Sequence, residues 1–222
     1  MDKRIKKIVL IGIILTIIIA GFVGCCKSLK IDEFTPAAVI FVVDSSASNQ
    51  AKLDEQKQFV KQVCNRLDPE DKINIIRVSE EAYLIFEGSP HSSINITDSM
   101  NEFTKYDSKD WGTAYGQGID KALIYATSMH KEGYKPAIIV VGDLENEGAL
   151  DKQLDWNKLP IAITNFQKLA PEFAMMFAYA HPQKLDTVKT KLAPVLGETK
   201  LVISTEQNID KSINKFLDTI ER

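Results

Sequence analysis

Two stretches of this chain admit few folds. Residues 37–43 read "AAVIFVV", and residues 136–143 read "PAIIVVGD". Both are continuous apolar runs rich in β-branched residues, with no polar position to mark a wet face. Each therefore reads as a strand covered on both sides, the kind that builds a parallel sheet between two layers of helix. Each also delivers an aspartate at its C-terminal end, Asp44 and Asp143. A carboxylate at the end of a buried strand is costly unless something there uses it.

The remaining pattern alternates strand and helix. Residues 72–79 ("KINIIRVS") and 82–88 ("AYLIFEG") predict two strands joined by a tight turn, an antiparallel pair at the sheet edge. Residues 173–180 and 199–205 predict two further strands. Helices are predicted over 51–67, 92–104, 113–130, 182–193 and 209–220, with a short one over 148–156. Residues 159–171 ("LPIAITNFQKLAP") read as an extra strand or a buried loop. The sum is an α/β domain: a doubly wound, mostly parallel central sheet with one antiparallel edge strand and helices on both faces.

The N-terminus has a different character. "MDKRIKK" is basic, the run from Ile8 to Gly24 is uncharged, and "CCKSLK" follows. A basic region, an apolar region and a small-residue boundary describe a secretory signal. "FVGC" at 22–25 resembles a bacterial lipobox, with Phe22 where Leu is usual, and would place a lipid on Cys25. As an uncleaved helix, residues 8–26 would instead span about 28 Å, close to the hydrocarbon thickness of a bilayer. Either anchor keeps the basic residues in the cytoplasm and puts the domain outside the membrane, in the periplasm or on the cell surface. The expected organisation is an anchor over 1–26, a linker over 27–36 and the domain over 37–222.

With Cys25 and Cys26 in the anchor, Cys64 is alone in the domain and has no disulfide partner there. Its neighbours Phe59, Val60, Val63 and Leu67 recur at helical spacing, so it reads as a small buried apolar residue. The net charge is −3, and it becomes more negative once the basic N-terminus is set aside. That balance argues against a nucleic-acid partner.

Ligands of open α/β sheets bind beyond the C-terminal ends of the strands. The run "DSSAS" gives the pattern D-x-S-x-S, with Asp44, Ser46 and Ser48. Thr113 lies in the glycine-containing stretch "WGTAYGQG", before a helix. Together with Asp143 these are two carboxylates and three hydroxyls at one sheet edge. Such hard oxygen donors suit Mg²⁺, Mn²⁺ or Ca²⁺ rather than zinc. Taken singly, each residue is more often a helix cap or a turn residue than a ligand.

With these three motifs in this order, the sequence resembles the von Willebrand factor A domains that carry a metal-ion-dependent adhesion site. The resemblance covers residues 37–222. It implies that Ser46 and Ser48 bind a cation directly, and that Thr113 does so directly or through water. Asp44 and Asp143 would act mainly through water. A partner protein's Asp or Glu would complete the shell. The chain departs from the family in having Ala47 between the serines, where Gly is frequent, and in the context "VGDLENEG" around Asp143. Glu145 and Glu147 add negative charge nearby, and Trp111 is an unusual neighbour of the threonine.

The expectation is a protein-binding module that depends on a divalent metal, not an enzyme. A structural scaffold of a cell-envelope complex is the alternative. A metal-dependent hydrolase is the third reading, with Glu145 the one candidate base. Other signals are weaker. A haloacid-dehalogenase motif would need a carboxylate where Ser46 stands. An EF-hand starting at Asp143 would need Glu where Leu154 stands. His91, His130 and His181 are scattered, "NIT" at 95–97 is an isolated glycosylation pattern, and no dinucleotide or Walker fingerprint occurs.

Overall fold

The computed structural model describes residues 35–101 and 112–220, apart from the side chains of Ser48 and Glu206. The predicted anchor, Trp111 and the end of the helix predicted over 92–104 lie outside the described residues.

Six strands form one sheet: β1 (Ala37–Asp44), β2 (Lys72–Val78), β3 (Ala82–Gly88), β4 (Lys135–Val141), β5 (Ala174–Ala178) and β6 (Leu201–Ser204). Their spatial order is β3-β2-β1-β4-β5-β6. Every neighbouring pair is parallel except β2 with β3. The antiparallel pair at the edge and the parallel centre are as the residue pattern predicts.

All eight residues of β1 are buried, because both faces are covered. Ile40 and Val42 point into one core layer, under α3 (Tyr115–Lys131), α4 (Lys158–Gln167) and α5 (Pro182–Lys200). Val39, Phe41 and Val43 point into the other, under α1 (Leu53–Cys64), α2 (Ser93–Asn101) and α6 (Ile209–Ile220). This two-sided burial is why the strand carries no polar alternation. Cys64 is buried in the second layer, and burial pushes its thiol up to about 12, so it is inert as a nucleophile.

The elements differ from the predicted ones in three places. Residues 159–171 are not a strand or loop: α4 occupies most of them, with Leu159, Ile163 and Phe166 buried at helical spacing. Pro160 is tolerated because it sits in the first turn, where its missing N–H has no intrahelical partner. Residues 148–156 form turns rather than a helix. There the Asn146 side chain both donates to the Leu154 carbonyl and accepts the Leu154 N–H, each at 3.0 Å. That bracket replaces the bonds a helix would make. Finally, α5 runs past Pro194 to Lys200 with a break at Gly197 (φ 76°).

From β1 the chain winds to β2 and β3 on one side, and from β4 to β5 and β6 on the other. The strand order therefore reverses between β1 and β4. Beyond their C-terminal ends is the crevice where an open sheet of this type binds ligands.

Candidate functional site

Asp44 is the last residue of β1 and is 0 % exposed. The chain leaves the strand over it: the Ser46 N–H donates to Asp44 Oδ1 at 2.8 Å. Asp44 Oδ2 accepts from the Asn49 amide and, at 2.7 Å, from the Tyr115 hydroxyl. All these donors are neutral. Burial raises the Asp44 carboxyl from its ordinary 3.8 to about 6. The hydrogen bonds from Ser46 and Tyr115 oppose that rise, and the charge of Asp143 adds to it.

The serines separate by use. Ser45 Oγ donates to the Val78 carbonyl at 3.2 Å, so its hydroxyl is spent on the sheet. Ser46 is the residue before the short 3₁₀ helix Ala47–Lys52, and its side chain makes no capping bond there. Ser48 lies within that 3₁₀ helix.

Thr113 precedes α3 and is 1 % exposed. Its N–H donates to the Glu147 carbonyl at 2.9 Å, and the next N–H, of Ala114, donates to the Ser79 carbonyl at 2.7 Å. The threonine loop is thus held between the β2–β3 turn and the loop after β4. Gly112 fits there because it faces Glu80 and the Gly148 Cα closely, with no room for a larger residue to spare. Among the described residues Thr113 Oγ1 has no hydrogen-bond partner. The capping reading of Thr113 fails, since Ala114 is the cap position and no side chain caps the helix. A buried hydroxyl left in this state costs about 1–3 kcal/mol unless another group satisfies it.

Asp143 follows β4 and is partly exposed, and its Oδ1 accepts the Glu145 N–H at 2.8 Å. Glu145 in turn pairs with Lys184 at 3.1 Å. That pairing engages the carboxylate on which the hydrolase reading depends.

The residue pattern did not single out two members of this site, Tyr115 and Asn49. Tyr115 is fully buried, and its hydroxyl also accepts the Leu144 N–H at 3.2 Å. Burial first, and then the charges of Asp44 and Asp143, hold its phenol protonated well above the ordinary range. The sequence signal was its place two residues after Thr113, in an otherwise small-residue stretch.

The donors fit a hard divalent cation. A buried carboxylate with only neutral donors and a buried hydroxyl with no partner are both satisfied by a positive ion. Among the described residues no cluster of three or more His, Cys, Asp or Glu side chains is placed to hold a metal. A set built from hydroxyls and two carboxylates does not form such a cluster.

Residues 39–146 match the family model of the von Willebrand factor type A domain. That stretch is similar to von Willebrand factor type A domains. No protein of curated function matches it in sequence. Solved structures share the fold. BatB from Bacteroides thetaiotaomicron is 15 % identical with a TM-score of 0.58, over 84 % of this chain and 100 % of its own. The manganese-loaded TRAP protein of Plasmodium vivax is 9 % identical with a TM-score of 0.61, over 84 % and 74 %. Proximal thread matrix protein 1 from the mussel byssus, with a zinc-occupied MIDAS motif, is 13 % identical with a TM-score of 0.56, over 84 % of this chain and 48 % of its own.

Proposed function

We propose that the chain carries a von Willebrand A domain, which binds a partner protein through a divalent cation held by Asp44, Ser46, Ser48, Thr113 and Asp143. The single observation that carries the reading is the Thr113 hydroxyl, buried and without a partner among the described residues, two positions before the Tyr115 whose own hydroxyl donates to a buried carboxylate with only neutral donors. Mg²⁺ is the first candidate, with Mn²⁺ and Ca²⁺ next, because every donor is a hard oxygen. One protein of similar fold has a zinc-occupied MIDAS motif and another is manganese-loaded, which supports a divalent ion. A bound cation would supply positive charge for a carboxylate of the partner. The chain's own part is to orient the hydroxyls and keep Asp44 dry.

The domain would act outside the membrane, anchored through residues 1–26 by a lipid on Cys25 or by an uncleaved span. Among the described residues no helix is long and apolar enough to cross a membrane. The anchor proposal therefore rests on the N-terminal sequence alone.

The test is calorimetric titration of Mg²⁺, Mn²⁺ and Ca²⁺ into the full chain in detergent, beside Thr113→Ala. Saturable one-to-one binding that the variant loses supports the site, and partner capture that chelator abolishes supports the function. Capture indifferent to chelator would favour the scaffold reading.

A further inference from the structure

We infer that Tyr115 is a positioning residue that links the Asp44 carboxylate to the backbone of the loop after β4, so that cation occupancy and that loop's conformation are coupled through one phenol. The inference rests on the cation-site reading above.

The Tyr115 hydroxyl has one proton, and it goes to Asp44 Oδ2 at 2.7 Å. A lone pair of the same oxygen receives the Leu144 N–H at 3.2 Å. One atom therefore joins the end of β1 to the loop that carries Asp143. The backbone around it is shaped for this contact. Leu144 is held at φ 63°, a left-handed conformation that costs a leucine free energy and persists only where the surroundings impose it. Gly142 is at φ 146°, and a Cβ there would lie 2.1 Å from the Tyr115 hydroxyl oxygen and 2.6 Å from Asp44 Cβ. Only glycine lets the phenol reach both partners. The link extends outward, because Asp143 Oδ1 holds the Glu145 N–H and Glu145 pairs with Lys184 in the first turn of α5.

A phenylalanine at 115 would keep the ring. It would leave the buried Leu144 N–H without its acceptor and Asp44 Oδ2 with Asn49 alone. Removing a partner that orients a metal ligand typically lowers metal affinity about 10–100-fold.

The experiment is hydrogen–deuterium exchange at the Leu144 amide in the full chain with and without Mn²⁺, repeated on Tyr115→Phe. Tyr125→Phe, a half-buried tyrosine further along α3, is the control. In the parent, Mn²⁺ is expected to slow exchange at Leu144. In Tyr115→Phe, Mn²⁺ affinity should fall at least about ten-fold, and the response at Leu144 should vanish. The control should match the parent in both. Unchanged Mn²⁺ affinity in Tyr115→Phe, or a response at Leu144 that persists, overturns the coupling. If the variant does not fold, the parent decides: bound Mn²⁺ with no change at Leu144 overturns it as well. A parent that binds no Mn²⁺ overturns the site reading together with this inference. A parent that binds beside an indifferent Tyr115→Phe overturns the inference alone.

Discussion

Asp44 and Asp71 are two buried carboxylates at opposite ends of the same strand. Asp44 closes β1. Asp71 precedes β2 and reaches across to the start of β1, where its Oδ1 accepts the Ala37 N–H at 2.7 Å and its Oδ2 the Asp68 N–H at 2.8 Å. Burial is the first cause of a raised pKa in both. The shift alone therefore does not tell a site from a brace. What differs is the company each keeps. Both Asp71 oxygens end on backbone N–H groups of a turn and a strand. Asp44 takes one backbone N–H, from Ser46, and adds two side-chain donors, an amide and a phenol, with the charge of a second carboxylate, Asp143, acting on it. A carboxylate that only braces has backbone donors alone. A carboxylate that serves a ligand has neighbours that wait for one.

The largest effect that would sharpen this contrast is on cation affinity. Asp44→Asn removes the buried charge while keeping the shape, and it should weaken Mn²⁺ binding at least about a thousand-fold, or ~4 kcal/mol. Calorimetry on both proteins checks it. The folded chain without cation should tolerate the change, because the buried charge it loses was itself unfavourable at neutral pH. Retained Mn²⁺ binding in Asp44→Asn would make the two aspartates alike.

The next effect is on the pH dependence of stability without cation. Between about 4 and 6 the folded chain holds a proton on Asp44 that the unfolded chain has released. Stability should therefore fall as pH rises through that window, by ~3 kcal/mol at most. Asp71 adds a slope of the same sign, since its pKa is raised too. Urea unfolding at a series of pH values should show the decline, and Asp44→Asn should remove the Asp44 share and leave that of Asp71. With Mn²⁺ bound the decline should reverse, because the ion favours the ionised carboxylate. A flat profile in the parent would break the account of Asp44.

Asp71→Asn should behave in the opposite way. An amide presents a donor where one of the two backbone N–H groups needs an acceptor, at a cost of about 2 kcal/mol. Thermal unfolding should register that loss while Mn²⁺ affinity stays at the parent value. A fall in affinity would mean that the brace at the foot of β1 reaches the crevice at its head.

How far the sequence disclosed these features follows from range. β1 and β4 were legible because two-sided burial leaves a purely apolar run. The three motifs were legible because each is a local pattern at a strand end or before a helix. The α4 helix was missed because Pro160 near its start resembles a loop signal, although Leu159, Ile163 and Phe166 carry the helical period. The turns over 148–156 were missed because their order comes from Asn146 bracketing Leu154, a contact without periodic trace. Tyr115 and Asn49 were missed for a related reason. Their roles depend on which oxygen each reaches, and Tyr115 reaches Asp44 across 71 positions of chain. Asp71 was invisible too, since "DPED" reads as a solvated turn until β1 is placed beside it.

The smallest expected effect tests the contrast within a single run of residues. Ser45, Ser46 and Ser48 look interchangeable in "DSSAS". Ser45 is the one whose hydroxyl is engaged by the Val78 carbonyl, which its N–H also reaches at 2.8 Å. That carbonyl keeps the N–H when the hydroxyl is removed, so no buried group is stranded. Ser45→Ala should therefore cost only about 0.5–1 kcal/mol in urea unfolding and leave Mn²⁺ affinity unchanged. Ser46→Ala should weaken Mn²⁺ binding, because its side chain lies beside Asp44 and makes no helix cap. If the two substitutions instead lower affinity equally, the distinction between a hydroxyl used by the sheet and one offered to a cation is lost, and the run acts as a turn in which every serine contributes alike.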